Sequence, residues 1–370
     1  MQTMGLRVRV ATDACVVERS LRDLPADLLR GPFQHAGWIE AWLATRTETR
    51  PAIALAVVTD AVSDAPVFVL PLMLDTRSGV PCWTALDDGV CDYVAPIVAA
   101  DFAPRPETMR WIWARILDQL PNADLVFLEK IPERIAGRRN PLLDLARPRA
   151  SHFRRHPLAL AAGLAAVRAR YRAGRSLARK RRKLERKGRF DFVVLGGSEA
   201  IGELERLMAW RDRRHDARPI TTAFYRRLLT DTDIARIGLL RLDGRTIAGC
   251  FSIVCDDALR LLVVAFDERW KNWSPGLLAI DEMIGWAAAT GLAEFDFTIG
   301  SEPYKFDFGV ETEQLWEIRE SLGLRGSVLL RLLGARRAAA DLMRRTLPSL
   351  AAIHARRHGE HPTPSVPPAP

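Results

Sequence analysis

The stretch from Leu259 to Lys305 constrains the fold most. An apolar run, Leu259–Phe266, is followed by the loop Arg269-Trp-Lys-Asn-Trp-Ser-Pro-Gly276. Apolar residues then recur at Leu277, Ile280, Ile284, Ala287 and Ala288, the three-and-four spacing of a helix with one buried face. A second strand, Glu294–Thr298, and a turn close the unit. Ser274 is the expected N-cap, with Pro275 at the first helical position, where a missing N–H costs nothing. The N–H groups of Gly276 and Leu277 are then expected to point out of the helix start with the positive end of its dipole behind them. Gly276 offers no side chain to obstruct an approaching anion. Arg269 and Lys271 in the same loop add cations, so the helix start is a candidate phosphate site.

The order of elements around this unit recurs. Upstream, Leu6–Val10 reads as a strand, with strand-like alternation continuing through the N-terminal segment, and Phe33–Arg46 reads as a helix. The strands Ala52–Val58 and Val67–Leu74 are joined by turn formers. Short strands at Cys82–Leu86 and Tyr93–Val98, a helix at Glu107–Leu120 and a strand at Asp124–Leu128 follow. The second half reads as a strand at Phe190–Leu195, helices at Glu199–Arg213 and Ala223–Thr230, and a hairpin, Ile237–Leu242 with Thr246–Cys255, across Asp243-Gly244. The Leu259 unit completes it. A chain of 370 residues is long for one domain, so the expectation is a duplicated α/β (α+β) fold with mixed sheets flanked by helices. Its parts are residues 1–150, a basic helical linker over 151–189, a second domain over 190–325, and a basic amphipathic helix with a Pro-rich tail over 326–370.

Charge narrows the partners. The net charge of +9 favours anions: phosphorylated cofactors, nucleic acid or an acidic membrane face. The run Arg175–Arg189, RSLARKRRKLERKGR, contains a single acid, Glu185. It reads either as a solvated face or as a contact for a cofactor phosphate or lipid headgroup. Nucleic acid is disfavoured because no aromatic residues are interleaved for base stacking. From Ser327 to Arg357, apolar clusters alternate with Arg331, Arg336, Arg337, Arg344 and Arg345, a pattern that suits packing on the body or docking on an anionic membrane. The tail His361–Pro370 reads as disordered.

The five cysteines form no C-x-x-C pair and no His-rich cluster, so neither a disulfide framework nor a metal site is expected. No run is long enough to span a bilayer, and no signal peptide is evident; a cytoplasmic protein, in peripheral contact with the inner face of the membrane at most, is expected.

Four segments carry a family resemblance. FQHAGWIEAWL, ALDDGVCDYVAPIV, RSLARKRRKLERKG and FDFTIGSEPYKFDFG occur in that order between Phe33 and Gly309. The set resembles the CelD-like acetyltransferases of cellulose biosynthesis, a branch of the GNAT acyltransferases related to the Fem aminoacyl transferases. One departure is plain: GNAT enzymes carry a Gly-x-Gly loop where this chain has only Gly276.

The resemblance implies an N-acyltransferase that uses acyl-CoA, acetyl or longer, or an acyl-carrier protein. The donor would be held by Arg269, Lys271, Ser274, Pro275, Gly276 and Leu277. The thioester would lie where Leu259–Phe266 and Glu294–Thr298 splay apart. Tyr304 falls where the family places a thiolate-protonating tyrosine, and Lys305 beside it would stabilise the oxyanion or hold an anionic substrate group; alternatively both close the turn. Asp296, opposite in facing to Phe295 and Phe297, is either a general base on the cleft face or a structural acid paired with a cation. Asp92 and Tyr93 would complete the acceptor pocket from the other half. His152, His156 and His215 match no triad and read as surface residues, while Trp210 and Trp273 read as core or cleft-mouth residues. The family label points to an amine-bearing sugar of an exopolysaccharide or its lipid-linked precursor as acceptor. A long-chain amino lipid and a non-catalytic regulatory role are the alternatives.

Overall fold

The computed structural model describes residues 5–46, 51–145, 148–214 and 219–346. In chain order its elements are β1 (Leu6–Ala11), α1 (Ala14–Arg22), α2 (Ala36–Thr45), β2 (Ile53–Asp60), β3 (Pro66–Arg77), β4 (Val80–Ala85), β5 (Ile97–Val98), α3 (Pro106–Leu117), β6 (Leu125–Ile131), β7 (Arg134–Ile135), β8 (Arg138–Arg139) and β9 (Arg149–Ala159). Then come α4 (Leu164–Ala169), α5 (Gly174–Glu185), β10 (Phe190–Leu195), α6 (Ile201–Asp212), α7 (Pro219–Asp231), β11 (Ala235–Leu242), β12 (Arg245–Cys255), β13 (Ala258–Phe266), α8 (Pro275–Ala289), β14 (Glu294–Ile299), α9 (Pro303–Phe306), β15 (Glu313–Ser321) and α10 (Leu324–Thr346).

The duplication is visible in the sheet. Its strands lie in the order β1-β2-β3-β4-β6-β15-β9-β14-β13-β12-β11-β10, with β5 on the side of β3. Read from either end, the two arms match: antiparallel strands lead to one parallel pair, β4 with β6 in the first arm and β13 with β14 in the second. At the centre the arms exchange their last strands. β9, which follows the first arm, pairs with β14 of the second; β15, which follows the second, pairs with β6 of the first, and the two pair with each other.

Helices cover both faces. On one, α2 packs on α7 and a single core spans the arms, with Trp38 edge-on to Phe224 at 4.7 Å. On the other, α3 covers the first arm through Met109, Ile112 and Ile116, and α8 covers the second through Leu278, Ile280, Met283 and Ile284. Phe295 and Phe297 of β14 face α8, and Asp296 faces away.

Several expectations change. The N-terminal alternation stops at Ala11: Asp13 caps Val16 N–H, and α1 buries Val17 and Leu21 at a four-residue spacing. Of Tyr93–Val98 only Ile97 and Val98 are strand. Residues 151–189 are not wholly helical, because they open in β9, which with β15 was not anticipated. Both strands carry several charged residues at the centre of the sheet, and ion pairs rather than apolar contacts satisfy them. Asp243-Gly244 forms the expected tight turn, both residues having positive φ. All five cysteines are free thiols. Among the described residues, no His/Cys/Asp/Glu cluster could hold a metal, and no helix is long and apolar enough to cross a membrane.

Candidate active site

β13 and β14 pair for only three residues, Ala258–Arg260 against Glu294–Asp296, and then separate. The irregularity lies in β14. Its pairing with β9 breaks between Asp296 and Ile299, Thr298 has φ +58° and Gly300 has φ +99°. A left-handed conformation is uncommon for a β-branched residue such as Thr298. The gap opens at the C-terminal ends of the two strands, where β13 leads into α8 and β14 into α9.

At the helix start the structure revises the expected contacts. Pro275 does hold the first helical position, but Ser274 is left-handed (φ 48°, ψ 54°) and does not cap the helix with its side chain. Its hydroxyl instead accepts from Lys180 Nζ of α5. The Leu277 N–H is taken by the Ser274 carbonyl at 3.1 Å, so it is not free for an anion. Gly276 is buried, and the side chain it lacks would meet Phe266 Cδ1 at 3.1 Å and Val264 Cγ2 at 3.5 Å. The missing side chain lets α8 pack closely on β13. Arg269 donates two 3.0 Å bonds from Nε to the Asp267 carboxylate within the 3₁₀ turn Glu268–Trp273, and Lys271 lies in the same turn.

The basic run packs beside the start of α8. It forms α5, anchored by buried Leu177 and Leu184. Besides Lys180 on Ser274, Arg181 pairs with Glu282 of α8, and Arg168 from α4 makes a two-pronged bond to Asp281 at 2.9 and 3.1 Å. Arg175, Arg179, Arg182 and Lys183 remain exposed.

Asp296 is fully buried. Its Oδ2 accepts from the Tyr93 hydroxyl at 2.8 Å and pairs with Arg155 of β9 at 3.2 Å, and its Oδ1 accepts from Thr298 N–H at 2.9 Å. Of the two expected settings, this burial and pairing match that of an acid held by a cation. Arg155 also binds Glu294 and Glu313; burial alone would lower its pKa, but these carboxylates and Tyr93 hold it above the ordinary value. Lys305 is likewise committed. Buried, it donates to the Ile299 carbonyl at 2.5 Å and the Gly300 carbonyl at 3.2 Å and pairs with Glu302 at 2.9 Å, so it closes the turn after β14. Tyr304 sits on the α8-side core beside Phe297. Burial, with Glu302 and Cys250 nearby, pushes its phenol well above the usual tyrosine value.

Asp92 has a different setting. Its loop is pinned by Lys130, which donates to Asp87 Oδ2 at 2.6 Å and to the Cys91 carbonyl at 2.7 Å, while Asp87 Oδ1 accepts from Cys91 N–H at 2.9 Å. This brings Asp92 across from the first arm to the distorted end of β14, beside Thr298. Burial raises its pKa to about 6, against the opposing pull of Lys130, Thr298 and Lys305. Of the histidines, His152 is exposed as expected, but His156 is buried, with Nδ1 3.4 Å from the Thr312 hydroxyl, and burial lowers its pKa. His215 lies outside the described residues. Trp210 is half-buried against the core shared by the arms, and Trp273 against the core under α8.

Residues 146–306 match the family described as the acetyltransferase (GNAT) domain, a span that takes in α5, the β13–α8–β14 unit and α9. No curated protein matches in sequence. In fold the chain is similar to FemX, with 11% identity over 84% of this chain and 96% of that one at a TM-score of 0.53. The L-PGS of Bacillus licheniformis superposes with 10% identity over 80% and 95% at 0.48. A tandem GNAT protein from the clavulanic acid biosynthesis pathway gives 14% over 86% and 99% at 0.44. The chain carries an acyltransferase domain of the GNAT type.

Proposed function

We propose that the protein transfers an acyl group from acyl-CoA to an amine, with Asp92 as the general base. The observation that carries this reading is the half-buried Asp92 beside the gap where the parallel strands β13 and β14 part. A carboxylate with a pKa near 6 is ionised at neutral pH yet basic enough to accept the proton that the amine nitrogen loses as it attacks. The amine nitrogen bonds to the thioester carbon, Asp92 takes its proton, and the C–S bond breaks to release the thiol. Tyr304, held protonated, supplies a proton to the departing thiolate. Asp296 and Lys305 act as positioning residues, one through Tyr93 and Arg155 and the other through the turn after β14. The donor's phosphates lie against Lys180, Lys271 and the start of α8, with the exposed cations of α5 alongside; the same surface suits an acidic acyl-carrier protein.

An amino sugar of an exopolysaccharide or its lipid-linked precursor is the acceptor suggested by the CelD-like segments. A second reading, an amino-lipid acceptor at an anionic membrane, is favoured by α10. Leu329 and Leu330 pack on Val80, Cys82 and Phe127, but Leu324, Val328 and Leu332, one turn apart, are 86, 56 and 56% exposed beside Arg325 and Arg331. Purified protein given acetyl-CoA or a long-chain acyl-CoA with glucosamine or sphinganine should release free thiol. Asp92→Asn should slow release by about 10²-fold or more. Unchanged turnover in that variant removes the assignment of the base, and absence of thiol release with every pair removes the proposal.

A further inference from the structure

At the other end of β13 and β14, between the two arms, lies a cavity of about 500 Å³. It is not the acyl cleft. Glu294 on its wall precedes Thr298 by four residues, about 13 Å along a strand, and the buried Tyr93–Asp296–Arg155 group stands between them.

Two side chains lining this cavity are more than nine-tenths buried and have a polar atom without a partner. Gln34 is 6% exposed; its amide nitrogen donates to the Tyr93 carbonyl at 3.1 Å, but its Oε1 accepts from nothing. Gly31 makes room for that oxygen, since a Cβ there would overlap it. Arg260 is 8% exposed; its Nη1 donates to the Cys255 carbonyl at 2.8 Å, while its Nε–H meets no acceptor. A buried acceptor and a buried donor without partners each destabilise the fold unless something fills them.

The charge around them is mostly negative. Glu294 and Glu313 are matched by Arg155, but Glu133, Asp256 and Asp257 also line the cavity, against Arg134 and Arg260. Asp256 and Asp257 occupy the β12–β13 turn with φ +51° and +55°, positions where Asn-Gly is the easier choice. Two adjacent carboxylates are thus held at the cavity in a backbone conformation that disfavours them.

We propose that this cavity is a second ligand site, for a small molecule that carries ammonium groups and at least one acceptor oxygen, the chemistry of a basic amino acid. The ammonium groups meet the carboxylates and Gln34 Oε1; the carboxylate meets Arg260 Nε–H. The probe is L-lysine, titrated by calorimetry into the full-length protein with no acyl donor present, so the result is independent of acyl transfer. Saturable binding is expected, with cadaverine, which lacks the carboxylate, weaker by about tenfold. Gln34→Met should lose a similar factor. Asp257→Gly relieves the left-handed strain, so it should melt at a higher temperature than the parent yet bind lysine more weakly. No saturable heat at roughly 10 mM lysine overturns the proposal. So does binding that neither substitution weakens in variants shown by melting to be folded.

Discussion

At the scale of the residue, Asp92 links catalysis to stability with a definite sign. A carboxyl whose pKa rises from 3.8 to about 6 on folding binds its proton more tightly in the native state. The stability this contributes is complete below pH 3.8 and is lost as pH rises through about 6. Asp92→Asn removes the buried charge, so at about pH 8 the variant should be more stable than the parent by ~3 kcal/mol, and the difference should vanish below about pH 3.8. Thiol release by the parent should rise with a midpoint near pH 6, and the variant should lack that rise. Denaturant melts at the two pH values and a pH–rate profile check both; a variant less stable than the parent at high pH would show that the carboxylate is held by partners that favour its charge. The sequence led to Asp92 only through family resemblance. Its distinguishing environment comes from Lys130, 38 positions away, and Thr298 in the other arm, neither of which any local pattern connects to it.

At the scale of the element, α8 and its approach were legible because periodicity and punctuation coincide: Pro275 marks the start, and the apolar stripe marks the buried face. What the stripe could not show is which direction Gly276 faces. The packing against Phe266 and Val264 predicts that Gly276→Ala lifts α8 from β13 and destabilises the protein by about 1–2 kcal/mol, with the KM for acyl-CoA little changed. Thermal melts and donor kinetics separate this from an anion-approach role, in which KM would rise in a protein of unchanged stability. The basic helix α5 was legible as a helix but not as a neighbour. Its place depends on the side-chain pairs Lys180–Ser274 and Arg181–Glu282, which join residues about a hundred positions apart. β9 is hidden in the sequence for a related reason: Arg154, Arg155 and His156 look like a surface segment, and only pairing with β14 and β15 makes them the centre of the sheet.

At the scale of the whole molecule, the duplication was legible from the order of elements, whereas the strand exchange was not, because it is a matter of which neighbour each final strand chooses. β15 joins β6 to β9, so the two arms share one sheet. Heating should therefore give a single cooperative transition by calorimetry. A chain ending at Thr312, which lacks β15 and α10, should lose that cooperativity and expose the edges of β6 and β9 to self-association. Two well-resolved transitions in the full-length protein would mean that the arms are thermodynamically separate.

The exchange also dictates when the protein can be finished. β6 is made by residue 131, but its permanent neighbour starts at Glu313; β9, made by residue 159, waits for β14 at Glu294. On the ribosome the first arm must therefore persist with an open edge while more than a hundred and fifty further residues are added, from Ile131 to Glu313. The nascent chain is in this respect most vulnerable to its own neighbours on a polysome until β15 has been made.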